Sequence, residues 1–126
     1  MARLSVVLDT TVLVDVLRRN EAARDFLKSL EDPPSCSEVT RVEILRGLRS
    51  AERAAADRLL SEIRWRPVDE DVARLAGELG RRFRSSHRDL SIVDLVVAAT
   101  AQRLGLPLAT SNVKHFPMFS RLKPPY

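Results

Sequence analysis

The period of apolar positions changes several times along the chain, and each change marks an element. Residues 4–8 form a short apolar run rich in β-branched side chains, too brief for a helix, and read as a buried strand. The run ends on Asp9, so this carboxylate stands at the C-terminal edge of a strand, where open α/β sheets place their ligands. A turn or capping role accounts for Asp9 equally well, because Asp is a favoured N-cap. Thr10 and Thr11 follow, and either can cap the next helix.

Helical spacing then takes over. Val12, Leu13, Val16 and Leu17 make one stripe over residues 11–19; Asp15, one turn after Thr11, stands on a side that can face Asp9, and a solvent-facing charge is expected there. Asn20 predicts the cap of a second helix through Leu30, whose face carries Ala22, Ala23, Phe26, Leu27 and Leu30. Pro33 and Pro34 end it, since proline cannot continue a helix. Ser35 and Cys36 suit a brief strand. From Ser37 as cap, a helix runs to Leu48 with Val39, Val42, Leu45 and Leu48 as its stripe. Glu43 lies one turn from Val39 and one from Gly47, which predicts a half-buried carboxylate. Gly47 either permits close packing or ends the helix.

Residues 51–65 read as a long arginine-rich helix with Ala55, Leu59, Leu60 and Ile63 turned inward, and residues 67–68 as a connection or strand. From Asp69 a further helix runs to about Arg84, with Val72, Leu75, Ala76, Leu79 and Phe83 apolar. Residues 81–89 form the densest basic cluster and break the helical pattern, which predicts a loop at the sheet's rim with His87 solvent-exposed. Residues 90–105 then give the most apolar helix of the chain, and a helix apolar nearly all round is buried. Asp94 is its only charge before Arg103, near the N-terminal end where the helix dipole favours an acid. Ser91, Asp94, Ala98 and Ala101 share a face and leave small residues around that carboxylate. Gly105 reads as the C-cap. Residues 106–109 form a short strand, and residues 110–116 repeat the punctuation seen after Asp9, with Asn112 and His115 placed to reach over the sheet's end. The tail is expected to add one last edge strand.

Strands alternating with helices argue for an α/β fold, a three-layer α/β/α sandwich around a short, mainly parallel sheet. Residues 1–126 are expected to form a single domain. A hydrophobic fraction of 44% argues against disorder. The net charge of +4 favours an anionic partner, and all but three of the 21 basic residues are arginines. Arginine grips phosphate bidentately, as nucleic acid requires, although a codon bias of the source gives the same skew. Cys36 is alone, so it forms no internal disulfide, and a small buried residue in a reducing cytoplasm is expected. No signal-peptide pattern opens the chain, and no run approaches the roughly 20 apolar residues of a membrane span.

In the α/β sandwich, Asp9, Glu43, Asp94 and the loop at Thr110 can converge on one edge. Hard oxygen donors without a cysteine cluster suit Mg²⁺ or Mn²⁺ rather than zinc. Carboxylate-held metal beside a basic surface suits hydrolysis of phosphodiesters.

Four stretches carry a resemblance. Val7-Leu8-Asp9-Thr10-Thr11-Val12-Leu13-Val14-Asp15 resembles the opening motif of PIN-domain nucleases, and Val39-Thr40-Arg41-Val42-Glu43-Ile44-Leu45-Arg46-Gly47 the second. Ser91-Ile92-Val93-Asp94-Leu95-Val96-Val97-Ala98-Ala99-Thr100-Ala101 resembles the third, and Leu108-Ala109-Thr110-Ser111-Asn112-Val113-Lys114-His115-Phe116 the fourth. Order, spacing and length agree over nearly the whole chain, and the small form is most similar to the VapC toxins of toxin–antitoxin pairs. The resemblance implies an Mg²⁺-dependent endoribonuclease, with Mn²⁺ as substitute, acting on structured RNA such as a transfer or ribosomal RNA loop. By motif position, Asp9 and Asp94 are direct metal ligands and Glu43 a third acidic ligand or orienter, these three forming the catalytic set. Thr11, Thr110 and Asn112 support them from behind. Arg82, Arg84, Arg88 and His115 are expected to contact RNA. The family also implies a VapB-type antitoxin laid across the acidic pocket and a homodimer. Many members carry an acid in the fourth motif where this chain has Asn112 and His115, which leaves one metal or two open. The alternative reading is a non-catalytic RNA-binding or protein-interaction module that keeps the fold.

Overall fold

The computed structural model describes residues 5–126, so Leu4, placed in the opening strand by the sequence pattern, lies outside the described residues. β1 (Val7–Leu8) is an inner strand of the sheet and β4 (Leu108–Ala109) is the edge strand beside it, with Val7 opposite Leu108 and Leu8 opposite Ala109. Outward from β1 lie β2 (Ser35–Ser37) and then β3 (Arg64–Arg66), giving the order β3-β2-β1-β4 with every pair parallel. A parallel sheet has to be covered on both faces, and the alternation of side chains along each strand does this here. Val7 and Leu108 pack on one face with α5 (Glu70–Phe83) and α6 (Ile92–Leu104). Leu8 and Ala109 pack on the other with α1 (Thr10–Leu17), α4 (Arg53–Ser61) and Ile44 of α3 (Glu38–Gly47), flanked by Phe26 and Leu27 of α2 (Glu21–Ser29). The result is the three-layer sandwich expected from the alternating pattern.

Most caps fall where the sequence places them. Asn20 accepts from the Ala23 amide, Ser37 from Val39 and Asp69 from Val72. Ser91 and Asp94 form a reciprocal capping box that starts α6. Gly105 ends it at φ 66°, in the left-handed region where a Cβ is costly. Gly47 is the last residue of α3 and a Cβ there would meet nothing within 4 Å, so it ends the helix and does not serve close packing.

Several expectations need correction. Neither Thr10 nor Thr11 caps α1; the N-cap position belongs to Asp9, and the hydroxyls are used elsewhere. The buried face of α3 is Thr40 and Ile44, while Val42 and Leu45 are 63% and 43% exposed. Thr40 turns inward because its hydroxyl meets Thr10, a partner that hydrophobic patterning does not see. Glu43 is consequently exposed, not half-buried. The helix expected over 51–65 stops at Ser61, and a strand, β3, occupies residues 64–66. Trp65 closes that helix end by donating from Nε1 to the Leu60 carbonyl, and the Arg41 guanidinium lies 4.1 Å from its ring centroid. The arginines flanking Trp65 put charge on the edge strand, which blunts pairing with other chains.

The tail forms no strand. It packs Met118, Phe119 and Leu122 against the α5–α6 core and returns Tyr126 to Phe26 and Asp15. The basic stretch is helical through Phe83 before it turns. His87 is half-buried, with its ring edge-on to Phe83 at 5.9 Å. Cys36 is fully buried, and burial pushes its thiol up to about 12, so it is inert at neutral pH. Among the described residues no helix is long and apolar enough to cross a membrane.

Candidate active site

The strand order reverses direction between β1 and β4: the first two crossovers move outward from β1 on one side, and the last returns to its other side. Ligands of open α/β sheets bind beyond the carboxyl ends of strands at such a point. Asp9 directly follows β1 and Thr110 directly follows β4, so the register of Leu8 with Ala109 sets them side by side.

Asp9 is 4% exposed. Its Oδ2 accepts from Thr110 Oγ1 at 2.8 Å and from Thr11 Oγ1 at 2.9 Å. Each hydroxyl has one proton to give, and both are committed to Asp9; their lone pairs accept from the loop after β4. The Ser111 amide donates to Thr11 and the Asn112 amide to Thr110, at 3.3 and 2.9 Å. Burial raises the Asp9 carboxyl above its ordinary value, and the negative charge of Asp94 adds to the rise, while Thr110, Thr11 and the Thr10 amide oppose it.

Asp94 is carried in by the first turn of α6. Its Oδ2 accepts from the Ser91 amide and lies 3.0 Å from Nδ1 of His115, which comes from the short turn Val113–His115. Glu43 reaches the same cleft from α3, its Oε1 accepting from Thr10 Oγ1 at 2.6 Å. A cleft of about 490 Å³ joins these groups. Asp9, Thr11, Glu43, Asp94, Asn112 and His115 all line it, so the structure brings together every acidic residue singled out by the sequence. Thr110 lies fully buried behind Asp9.

Arg84 and Arg88 line a different cavity, beyond the first turn of α6, and Arg82 is exposed on α5 and lines neither. Asp15 lines the cleft on the side facing Asp9, and Arg18, which no sequence motif marks, lines it too. Asp15 is not a free solvent-facing charge: its Oδ2 accepts from the Tyr126 hydroxyl at 2.5 Å. Helical spacing was the available signal: Thr11, Val14, Asp15 and Arg18 fall on one face of α1, opposite its buried Val12 and Leu13.

A hard divalent cation fits this donor set. Among the described residues no three His, Cys, Asp or Glu side chains close on one point tightly enough to enclose an ion. Mg²⁺ keeps several waters and is held through one or two carboxylates, and Asp9 and Asp94 supply two such hard oxygen donors to the cleft. Burial of the Asp9 carboxyl, to which the Asp94 charge adds, is the kind of cost a bound cation offsets.

The PIN domain family matches residues 6–121. Ribonuclease VapC19 of Mycobacterium tuberculosis (strain H37Rv) is 46% identical over 123 residues, covering 95% of this chain and 98% of that protein. Ribonuclease VapC10 of the same organism is 45% identical over 123 residues, covering 96% and 92%. A solved toxin–antitoxin complex from Klebsiella pneumoniae superposes with a TM-score of 0.82 at 25% identity, covering 97% of this chain and 98% of that one. The chain belongs to the PIN-domain family.

Proposed function

We propose that this protein is a divalent-metal-dependent endoribonuclease, the toxin of a VapBC-type pair, acting in the cytoplasm on structured RNA. The observation that carries the reading is the convergence of Asp9, Glu43 and Asp94 on one strand-end cleft, in a chain 46% identical to a named ribonuclease over 95% of its length. Asp9 and Asp94 would hold Mg²⁺, with Mn²⁺ as substitute. When bound, the ion supplies an acidified water and positive charge against the phosphate.

The remaining chemistry belongs to the chain. Thr11 and Thr110 fix the orientation of Asp9, as supporting hydrogen bonds generally do for metal ligands. Thr10 fixes one oxygen of Glu43 and leaves the other to orient the attacking water. His115, with its proton on Nδ1, holds Asp94, and Arg18 at the rim offers a cation to the RNA backbone. Hydrolysis joins the water oxygen to phosphorus and releases the sugar oxygen with a proton.

A VapB-type antitoxin fits the same cleft. A cationic side chain entering among three carboxylates would replace the metal's charge. The Klebsiella relative was solved as a toxin–antitoxin complex, which supports this partner. Val42 and Leu45, one turn apart on α3 and exposed, supply apolar surface for a homodimer.

The test is incubation of the purified, partner-free chain with total cellular RNA and Mg²⁺ or Mn²⁺, beside Asp94→Asn. Discrete fragments from the parent alone are expected. Intact RNA in both, with no metal bound, would move the reading to a non-catalytic module.

A further inference from the structure

A second cavity, of about 550 Å³, lies between the end of α5 and the start of α6. Its volume falls within the roughly 300–1,000 Å³ of small-molecule sites. Its floor is Leu90 and Leu95, and its walls are Arg84, His87 and Arg88. Gly80 keeps the floor in place: a Cβ there would stand 3.0 Å from Leu95 Cδ1. The His87 ring is held by contact of its Nδ1 with Ser86 Oγ at 2.9 Å and by Phe83. Arg84 and Arg88, like most arginines of the chain, form no ion pair among the described residues, whereas Arg41, Arg53, Arg74 and Arg103 do.

This cavity adjoins the acidic cleft. Ser91 and Asp94 line the cleft and Leu90 and Leu95 line the cavity; Leu90 directly precedes Ser91 and Leu95 directly follows Asp94. The two depressions therefore open on either side of the first turn of α6. A strand that crosses this turn with a phosphate at Asp94 passes directly to the cavity.

We infer that this cavity seats one unstacked nucleotide of the RNA next to the scissile bond. Its base lies against Leu90, Leu95 and the His87 ring, and its phosphate lies between Arg84 and Arg88. Sequence-specific proteins read RNA through such splayed bases, packed on flat or apolar side chains. The cleft cuts and the cavity selects: a base that fills it sets where the cut falls. The inference rests on the ribonuclease reading for its cutting role, but the binding itself can be measured without cleavage.

The test uses a fluorescently labelled random-sequence RNA hexamer, followed by anisotropy with the full chain in chelator, and end-sequencing of fragments from total RNA with Mg²⁺. Two cavity variants are compared with the parent: Ser85→Trp, which fills the space, and Arg84→Gln/Arg88→Gln, which alters only exposed side chains. Arg53→Gln on the distant α4 controls for lost charge, and circular dichroism checks folding. Both cavity variants are expected to weaken hexamer binding by at least about tenfold, the scale of one lost base stack. The double variant should also flatten the salt dependence by roughly 0.7 per lost phosphate contact. The base preference beside the cut should disappear in both, read from fragments sequenced at an equal extent of cutting. Parent-like binding and preference in the folded double variant would overturn the inference and leave the nuclease reading intact. Cavity-dependent binding by a parent that cuts no RNA would overturn the nuclease reading and leave the nucleotide seat standing.

Discussion

Thr110 donates its hydroxyl to Asp9 at 2.8 Å across 101 positions of sequence. The contact exists because β1 and β4 are neighbours with Leu8 opposite Ala109, so the residue that follows each strand meets the other. It ties the last strand of the sheet to the first carboxylate of the cleft.

Thr110→Val keeps the volume and removes both the donor to Asp9 and the acceptor for the Asn112 amide. Buried groups that lose a partner cost about 1–3 kcal/mol. Lost support for a metal ligand costs roughly 10–100-fold in affinity or activity. Urea unfolding and Mn²⁺ calorimetry are expected to show both losses together. Undiminished metal affinity would separate Thr110 from the site.

Asp9→Asn and Asp94→Asn are expected to abolish cleavage with the fold retained, and chelation should do the same to the parent reversibly. Asn at 94 can still accept from the Ser91 amide, so α6 keeps its start. Cleavage that survives both substitutions would remove these carboxylates from the mechanism.

The raised Asp9 carboxyl has a sign that can be checked. The folded protein binds this proton more readily than the unfolded chain, whose carboxyl has the ordinary value of 3.8. The stabilising contribution is full below 3.8 and is lost as pH rises through the raised folded value. In chelator, Asp9→Asn should therefore gain on the parent in urea midpoint as pH climbs past 3.8, then level off. Divalent cation should reverse the order by stabilising the parent alone.

The inward face of α3 is also open to test. Ile44→Ala should cost about 2–5 kcal/mol, as buried truncations do, and Val42→Ala should stay within about 0.5 kcal/mol. Equal costs would restore the Val39–Val42–Leu45 stripe.

Tyr126→Phe removes the donor to Asp15, and a hydrogen bond to a charged group is worth about 1.5–3 kcal/mol. The tyrosine hydroxyl is raised above its ordinary value by burial and then by Asp15, so the bond persists across neutral pH. A loss of this order in the variant, with Phe26 packing unchanged, is the expected result.

The sequence by itself determined the local structure and the chemistry. Asn20, Ser37, Asp69 and Ser91 start their helices where they stand because a cap acts within three residues. The alternation of strands and helices fixed the sandwich, and the residue types of Asp9, Glu43 and Asp94 fixed the donor set. Interactions between distant segments were decided only by the tertiary structure. Thr40 is buried and Val42 exposed because a hydroxyl on α1 waits for one and nothing waits for the other. Residues 64–66 are a strand because β2 lies open beside them, although their neighbours favour a helix. Asp15 has a hydrogen-bond partner in the tail only because the chain returns at Tyr126. Periodicity records which side of an element is apolar; which side meets a partner depends on the packing of elements far apart in sequence.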